Sequence, residues 1–254
     1  EAVRLAPAAT WEVNYDQDSC VLARMFGEGD DLTQLYFTRY QPGDTFRLTL
    51  ISKYVRAKPE TKLVVRFGPS EKEFRTSAIG VKGEKGERGL ITGGTVALGD
   101  EELRKTNKQT GEDAVLADPY QIGPAREEAI TEVAFLKGLS HELILETGSL
   151  GKPFAVLRDC NSRLMEKWGL DVEKHRHPLR PPQPIENPGK WLGPNDYQKA
   201  LLNAGKGALV HFRLTIEPTG EVSGCSIQKS TLPEKFAEIT CNLIKKRARF
   251  KPAL

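Results

Sequence analysis

Residues 207–230, "GALVHFRLTIEPTGEVSGCSIQKS", carry the clearest structural pattern in this chain. The first half alternates, and its apolar face consists of Val210, Phe212, Leu214 and Ile216. A period of two is typical of a β-strand with one buried face. Because "PTG" (218–220) favours a turn and residues 221–230 again favour a strand, the stretch predicts a β-hairpin.

A helix is predicted directly after this hairpin. Pro233 suits its first turn. Its apolar stripe comprises Phe236, Ile239, Thr240, Leu243 and Ile244. The cations Lys245, Lys246 and Arg247 fall in the last turn, where the helix dipole favours positive charge. The end of the chain is therefore predicted as a hairpin covered by one helix.

A proline-rich segment precedes this region. Residues 175–190, "HRHPLRPPQPIENPGK", contain five prolines and no apolar periodicity. Proline-rich segments of this kind form semi-rigid, extended linkers. We therefore expect two domains, residues 1–174 and 191–254, on either side of this linker.

The N-terminal domain is rich in β-branched and aromatic residues. Short strands are predicted at 19–26, 32–40, 44–52 and 61–68, with Gly, Pro and Asp between them. This spacing favours an antiparallel meander. Two further strands are predicted within 129–147, joined near Gly138–Ser140.

A helix is predicted at the end of this domain, from Pro153 to a stop at Gly169. Residues at helical spacing form its apolar face, namely Leu157, Cys160, Leu164 and Trp168. The predicted fold class is α+β. The N-terminal domain is mainly antiparallel β with a C-terminal helix, and the smaller second domain is a hairpin with a helix.

Residues 69–128 have weaker patterns. The stretch "GVKGEKGERG" (80–89) places glycines at a period of three, as collagen does, but a triple helix needs many more triplets. A flexible charged loop is the better prediction there. "GDEELRKTNK" (99–108) is compatible with one short helix that Asp100 would cap.

The four cysteines are Cys20, Cys160, Cys225 and Cys241. The chain has no C-x-x-C motif, so a structural zinc site or a thioredoxin-like motif has little support. An even, widely spaced set is what an exported protein uses for two disulfides. Cys160 lies on the apolar face of its helix, and Cys20, in a strand of the same domain, is its plausible mate. For Cys225 and Cys241 a metal site, a reactive pair and a disulfide remain open at this point.

Composition excludes some classes of function. The net charge of +3 is too small to indicate nucleic-acid or anionic-membrane binding by itself. No apolar run approaches the length of about 18 residues that a membrane span requires. The chain begins at Glu1 with no signal-peptide pattern, which fits either a processed mature end or an artificially trimmed chain.

The final segment resembles the C-terminal domain of TonB, the periplasmic energy-transducer family. Its glycine–valine pattern corresponds here to 207–216 with Gly220 and Val222, and Ser230-Thr231 resembles the family's bend after the second strand. The ending "RFKP" (249–252) is similar to the family's aromatic-arginine-phenylalanine-lysine-proline ending. Tyr197 corresponds to the family's tyrosine-proline start, although Gln198 replaces the proline. The N-terminal residues resemble no family that we can name.

The resemblance implies a periplasmic or exported protein, where disulfides persist. A Cys225–Cys241 bridge would then pin the helix onto the hairpin. A TonB transducer also has an N-terminal membrane helix and a long proline-rich spacer, and neither is evident here. The family domain continues into another strand after the position of Leu254. We therefore expect a tail or a neighbouring chain to supply that strand.

Two sequence patterns resemble catalytic or metal-binding motifs, but each has a better structural explanation. "LILETGSL" (143–150) resembles an aspartic-protease motif, but Glu146 replaces the aspartate, and a turn with Thr147 or Ser149 as helix cap is the better prediction. His175 and His177 form an H-x-H pair that could bind zinc or copper, but solvated linker histidines fit better. The other histidines are His141 and His211, and His211 is predicted to be exposed.

Three further patterns also favour structural roles. "GEGDD" (27–31) lacks the ligand spacing of a calcium loop and predicts a hairpin turn. "KKRAR" (245–249) is better explained as a helix end than as a nucleic-acid patch. The three tryptophans are predicted to be buried anchors in the core or at a domain boundary. They are Trp11, Trp168 and Trp191.

These observations predict a TonB-like binding protein rather than an enzyme, with no catalytic residues, cofactor or metal. It would dock an extended segment of a protein partner, for example an outer-membrane receptor in transport, and the sequence leaves the docking surface unknown. The alternative is a non-catalytic structural subunit of a cell-envelope assembly. A hydrolase in the N-terminal domain is the least favoured hypothesis. No nucleic-acid partner and no membrane span are expected.

Overall fold

The computed structural model describes residues 2–41, 43, 45–56, 58–83, 85–94, 96, 98, 123–176, 182–196, 199–205, 207–231 and 234–254. The chain divides into two compact units, Glu1–Arg176 and His177–Leu254. The fold is mixed α+β, as the sequence predicts. The short helix expected at 99–108 and the predicted helix start at Pro233 lie outside the described residues.

The first unit contains one large β-sheet. Its strands are β1 (Val3–Leu5), β2 (Glu12–Tyr15), β3 (Cys20–Phe26), β4 (Thr33–Arg39), β5 (Arg47–Ile51), β6 (Glu60–Phe67), β7 (Phe74–Lys82), β8 (Arg88–Thr92), β9 (Val133–Lys137) and β10 (Leu143–Leu145). They lie in the order β1-β10-β9-β6-β7-β8-β5-β4-β3-β2. Neighbouring strands are antiparallel except β1 and β10, which are parallel.

This sheet curls until it closes on itself. After β1 has paired with β10, residues 6–8 pair with residues 25–27 at the end of β3. The amide of Gly27 donates to the carbonyl of Ala6 at 2.8 Å, and the amide of Ala8 donates to Met25 at 2.9 Å. Closure satisfies backbone groups that an open sheet would leave unpaired at its edges.

Alternating apolar residues of these strands fill the interior. Phe37 is fully buried at the centre of an aromatic cluster, with ring centroids 5.1 Å from both Phe46 and Phe154. Phe46 in turn lies 5.6 Å from Phe67. Edge-to-face contacts of this kind add to the hydrophobic stabilisation of a core.

Among the residues that the structure describes, three α-helices accompany the sheet, namely α1 (Pro124–Ala129), α2 (Gly151–Lys167) and α3 (Val172–Arg176). The apolar face of α2 is buried, as predicted, and Cys160 forms a disulfide with Cys20 of β3. The helix begins at Gly151, two residues before Pro153. Neither Thr147 nor Ser149 is its N-cap residue, because Leu150 occupies that position without a side-chain cap.

Two details of the sheet differ from the predictions. The meander ends at β5, because β5 pairs with β8, and β6 pairs with β7 and β9. Residues 80–89 are not a loop throughout, since Gly80 lies in β7, which ends at Lys82, and Gly89 lies in β8, which begins at Arg88. A side chain at Gly80 would collide with the carbonyl of Lys58, so glycine there permits a close backbone approach.

The second unit is smaller. It contains β11 (Gln183–Pro184), α4 (Lys199–Asn203), β12 (Val210–Ile216), β13 (Val222–Ser230), α5 (Lys235–Arg247) and β14 (Phe250–Lys251). The hairpin β12–β13 is antiparallel, and β11 pairs with β14. Part of the segment that the sequence predicts as an extended linker therefore pairs within this unit.

Its core lies between the hairpin and α5. Trp191, Val222, Ile244, Ala248 and Phe250 are buried there. Phe212, Leu214 and Ile216 pack against them, so the face predicted from the alternation of β12 does meet the core. His211 lies on the other face but is half-buried rather than exposed, which corrects the sequence prediction.

Candidate binding site

The most distinctive feature of the second unit is one edge of the hairpin. Among the described residues, β12 pairs with β13 alone, so its other edge faces no strand. Residues 249–250 cross the far edge of β13 at its start. The backbone of Arg249 forms an isolated β-bridge with that of Glu221, and the amide of Phe250 donates to the carbonyl of Gly220 at 2.9 Å. An edge with unpaired backbone groups is a template for another strand.

An apolar cavity of about 250 Å³ lies beside β12. Its wall on the strand side consists of Ala208, Leu209, Val210 and Phe212. Its wall on the helix side consists of Phe236, Ile239 and Thr240. Leu192 and Asp196, from the segment before α4, complete the rim. The cavity thus combines a strand, a helix and a preceding turn, and its apolar walls suit a hydrophobic side chain.

A disulfide holds the helix wall against the hairpin. Cys225 of β13 is bonded to Cys241 of α5, and their Cα atoms are 5.6 Å apart. The structure therefore contains both expected bridges, and no described cysteine is free. Because the bridge closes a loop across a sequence separation of 16, it restricts how far α5 can move from the strands.

A charged pair fixes the turn at the rim. The guanidinium of Arg247 donates to the two carboxylate oxygens of Asp196 at 2.7 and 2.8 Å, and it also donates to the carbonyl of Trp191 at 2.9 Å. The amide of Gly193 donates to Asp196 at 2.7 Å. The bond from Arg247, together with that amide, lowers the pKa of Asp196 to about 2. Asp196 is therefore an anion at neutral pH.

The sequence prediction missed this rim. The "KKR" run predicts favourable interactions at a helix end, and nothing in its pattern indicates a bond from Arg247 to Asp196. Trp191 was expected to be an anchor, and it is buried in the second core with its ring 5.5 Å from that of Phe250. Trp11 and Trp168 likewise pack against the first core. The position of Asp196 shortly after the buried Trp191 is a local signal of its role. Its partner, Arg247, is 51 residues away in the sequence.

A larger cavity, of about 920 Å³, lies within the first unit beside α2. Buried Arg39 lines it, as do Arg158 and Asn161 of α2, and acidic side chains lie around them. The amide of Asn161 donates to the carbonyl of Gln41 at 2.7 Å, and Arg158 forms an ion pair with the buried carboxylate of Glu127. These contacts support the position of α2 against the sheet.

The protease-like motif has a structural role. The carboxylate of Glu146 lies at the surface and pairs with Arg4 at 3.4 Å. The carbonyl of Thr147 accepts hydrogen bonds from Arg24 at 2.7 Å and from the indole of Trp11 at 3.3 Å. These bonds join the loop before α2 to the first strands of the sheet.

The remaining histidine candidates, His141 and His175, belong to the first unit. His175 bonds to the carbonyl of Asp171 at 2.7 Å, His141 contacts the ring of Tyr54, and His177 lies outside the described residues. Within the described ranges, no three His, Cys, Asp or Glu side chains come close enough to hold a metal ion together. Residues 27–31 form the turn between β3 and β4, as predicted, and Asp31 pairs with Lys53 at 2.8 Å.

No protein-family model, curated protein or solved structure matches this chain. Two disulfides are consistent with an oxidising compartment such as the periplasm or the cell exterior. Among the helices that the structure describes, none is both long and apolar enough to cross a membrane.

Proposed function

We propose that this protein is a non-catalytic binding protein of the periplasm or the cell exterior. It docks an extended segment of a protein partner along the open edge of β12. The observation that carries this proposal is the position of the apolar cavity directly beside that edge. Strand addition uses backbone hydrogen bonds for affinity and side-chain pockets for selectivity, and both elements are present here.

The edge of β12 is a better docking site than the edge of β13. Residues 249–250 obstruct the start of β13, whereas no described strand obstructs β12. The cavity also lies on the β12 side, where Leu209 and Phe212 face Ile239 of the helix. A strand added to β12 would cover these apolar groups and so gain hydrophobic stabilisation as well as backbone hydrogen bonds.

The resemblance to the TonB C-terminal domain supports the same mode of binding. That family recruits extended segments of outer-membrane receptors, so a role in outer-membrane transport is the specific form of this proposal. The predicted catalytic candidate supports binding over hydrolysis, because Glu146 is engaged by Arg4 and lies in the other unit.

Site-directed photocrosslinking in the native cell envelope tests the proposal. A photoreactive residue replaces Ala208, beside the open edge, or Ser223, which is exposed on β13. We expect crosslinks to one defined extended segment of a partner from position 208 and not from 223. Equal crosslinking from both positions would contradict docking at β12.

A pair of charge substitutions on α5 provides the control. Ile239→Glu places a carboxylate in the cavity wall, whereas Asn242→Glu places the same charge at an exposed position of the same helix. We expect Ile239→Glu to weaken partner binding about tenfold or more, because a buried unpaired charge is costly, and Asn242→Glu to leave it unchanged. If the protein is instead held in a fixed assembly through its first unit, and neither variant affects it, the structural-subunit alternative is favoured.

A further inference from the structure

The chemistry of the docked segment follows from the two faces of the hairpin. In a strand added to β12, successive side chains point to opposite faces of the extended sheet. One set faces α5 and the apolar cavity, on the same side as Phe212 and Leu214. The other set lies on the face that carries the alternate residues of β12.

That second face is polar and basic. It carries His211 and Arg213 of β12, which alternate with the residues that pack on the core. Lys229 of β13 lies directly across from His211, and Ser226 lies across from Arg213. Residues directly opposite in an antiparallel pair share a face, so Lys229 adds an exposed ammonium group to this side.

The second unit as a whole also carries a net positive charge. From His177 to Leu254 it has twelve Lys and Arg against six Asp and Glu, a net charge of +6. The first unit has twenty-five against twenty-eight, a net charge of −3. Of the six acidic residues, Asp196 is paired with Arg247 and Glu238 with Lys235. A net positive charge attracts anionic partners and raises their rate of association.

We propose that the segment docked on β12 is acidic, with Asp or Glu at alternate positions and apolar residues between them. This inference rests on the proposed function. The apolar residues would cover the cavity, and the carboxylates would lie on the face of Arg213 and Lys229. Opposite charges on adjacent strands stabilise their pairing, whereas like charges destabilise it.

The same charges argue against a second copy of this chain as the occupant. If β12 paired antiparallel with β12 of another copy about its central residue, the two Arg213 side chains would lie opposite each other. Like charges would then meet across the new strand pair. An acidic segment avoids this repulsion and neutralises the basic face.

The experiment compares four seven-residue peptides for binding to the full 254-residue chain by fluorescence anisotropy. The first alternates valine with glutamate, the second valine with serine and the third valine with lysine. The fourth has the composition of the first but groups its glutamates together. We expect the alternating glutamate peptide to bind at least about tenfold more tightly than the serine peptide, with a smaller ratio at high salt. The lysine and grouped peptides should bind more weakly still.

Two variants with the same change of charge locate the effect. Lys229→Glu should weaken binding of the alternating glutamate peptide several-fold and leave the serine peptide unchanged. Lys251→Glu changes the net charge equally, but Lys251 lies in β14, which pairs with β11 rather than with β12, so its effect should be smaller. Equal effects of the two variants would mean that only net charge matters, which would overturn the proposed alternation.

The outcomes separate the inference from the proposed function. If the serine and glutamate peptides bind equally, docking at β12 stands and the acidic preference is wrong. If the lysine peptide binds best, the inference is also overturned. If none of the peptides binds, and a photoreactive residue at position 208 crosslinks to β12 of a second copy, the proposed docking of another protein's segment is itself wrong.

Discussion

At the scale of single residues, Gly220 joins three parts of the second unit. It lies in the turn between β12 and β13 with a φ of 86°, a conformation that side chains other than glycine rarely adopt. Its carbonyl accepts the amide of Phe250 at 2.9 Å. A methyl group on Gly220 would overlap the carbonyl oxygen of Phe250. The residue thus holds the hairpin turn against β14.

Gly220→Ala should lower the free energy of unfolding of the second unit by more than the cost of placing alanine in a left-handed backbone conformation. The matched control is Gly205→Ala, because Gly205 also has a positive φ, of 60°, but an added methyl there meets no atom. We expect a loss of about 1 kcal/mol for Gly205→Ala, and of about 2–4 kcal/mol for Gly220→Ala as overlap adds to strain. Chemical unfolding of both variants measures the difference. Equal losses would show that the turn and β14 are not in contact.

At the scale of elements, α5 is held in its middle and at its C-terminal end by different chemistry. The disulfide between Cys225 and Cys241 attaches its middle to β13. At its C-terminal end, Arg247 attaches it to Asp196 and to the carbonyl of Trp191. The helix, the hairpin and the turn at 193–196 together form the cavity wall, so the geometry of the site depends on both attachments.

The contribution of Asp196 should depend on pH. Its pKa is about 2 in the folded protein, below the value of about 3.9 expected for an unfolded chain. A depressed pKa stabilises the fold above the unfolded value, and this stabilisation is lost as the pH falls through the folded value. We therefore expect Asp196→Asn to speed hydrogen exchange of α5 amides at pH 5, with the difference from wild type shrinking as the pH falls toward 2.

Asp159→Asn is the control for that experiment. Asp159 pairs with Arg163 at 3.0 Å on the surface of α2, in the first unit. Its substitution should leave exchange along α5 unchanged at every pH. An Asp196→Asn difference that persists to pH 2 would mean that the substitution acts through packing rather than through charge.

At the scale of the whole molecule, each unit has its own core and its own disulfide. The first bridge joins Cys20 to Cys160, and both residues are 0% exposed. The second joins Cys225 to Cys241, and both residues are partly exposed. Thiol–disulfide exchange requires access of a thiolate to sulfur, so the two bridges differ in accessibility although both lie in the same chain.

A mild reductant should therefore open Cys225–Cys241 well before Cys20–Cys160. Alkylation at increasing times, followed by peptide mass spectrometry, gives the order. Loss of the second bridge in a Cys225→Ser/Cys241→Ser variant should destabilise the second unit by roughly 3 kcal/mol and leave hydrogen exchange in the first unit unchanged. Earlier alkylation of Cys160 would contradict this order.

Local patterns in the sequence predicted individual elements well. The alternation in 207–217 predicts β12, the apolar stripe of Phe236 and Ile244 predicts α5, and the spacing of Leu157 and Cys160 predicts α2. Each of these signals arises because neighbouring residues on one element must face the same core. The pattern is misleading at 80–89, where glycines predict a loop but Gly80 instead permits a close backbone approach within a strand.

The sequence by itself therefore determined which segments are strands and helices, and which of their faces are apolar. Only the tertiary structure decided that β5 pairs with β8, that residues 6–8 close the first sheet, and that Asp196 meets Arg247. These contacts join residues far apart in the chain, and a strand's own pattern does not specify which neighbour it pairs with. The open edge of β12 and the cavity beside it arise in the same way, because both depend on how separate elements pack together.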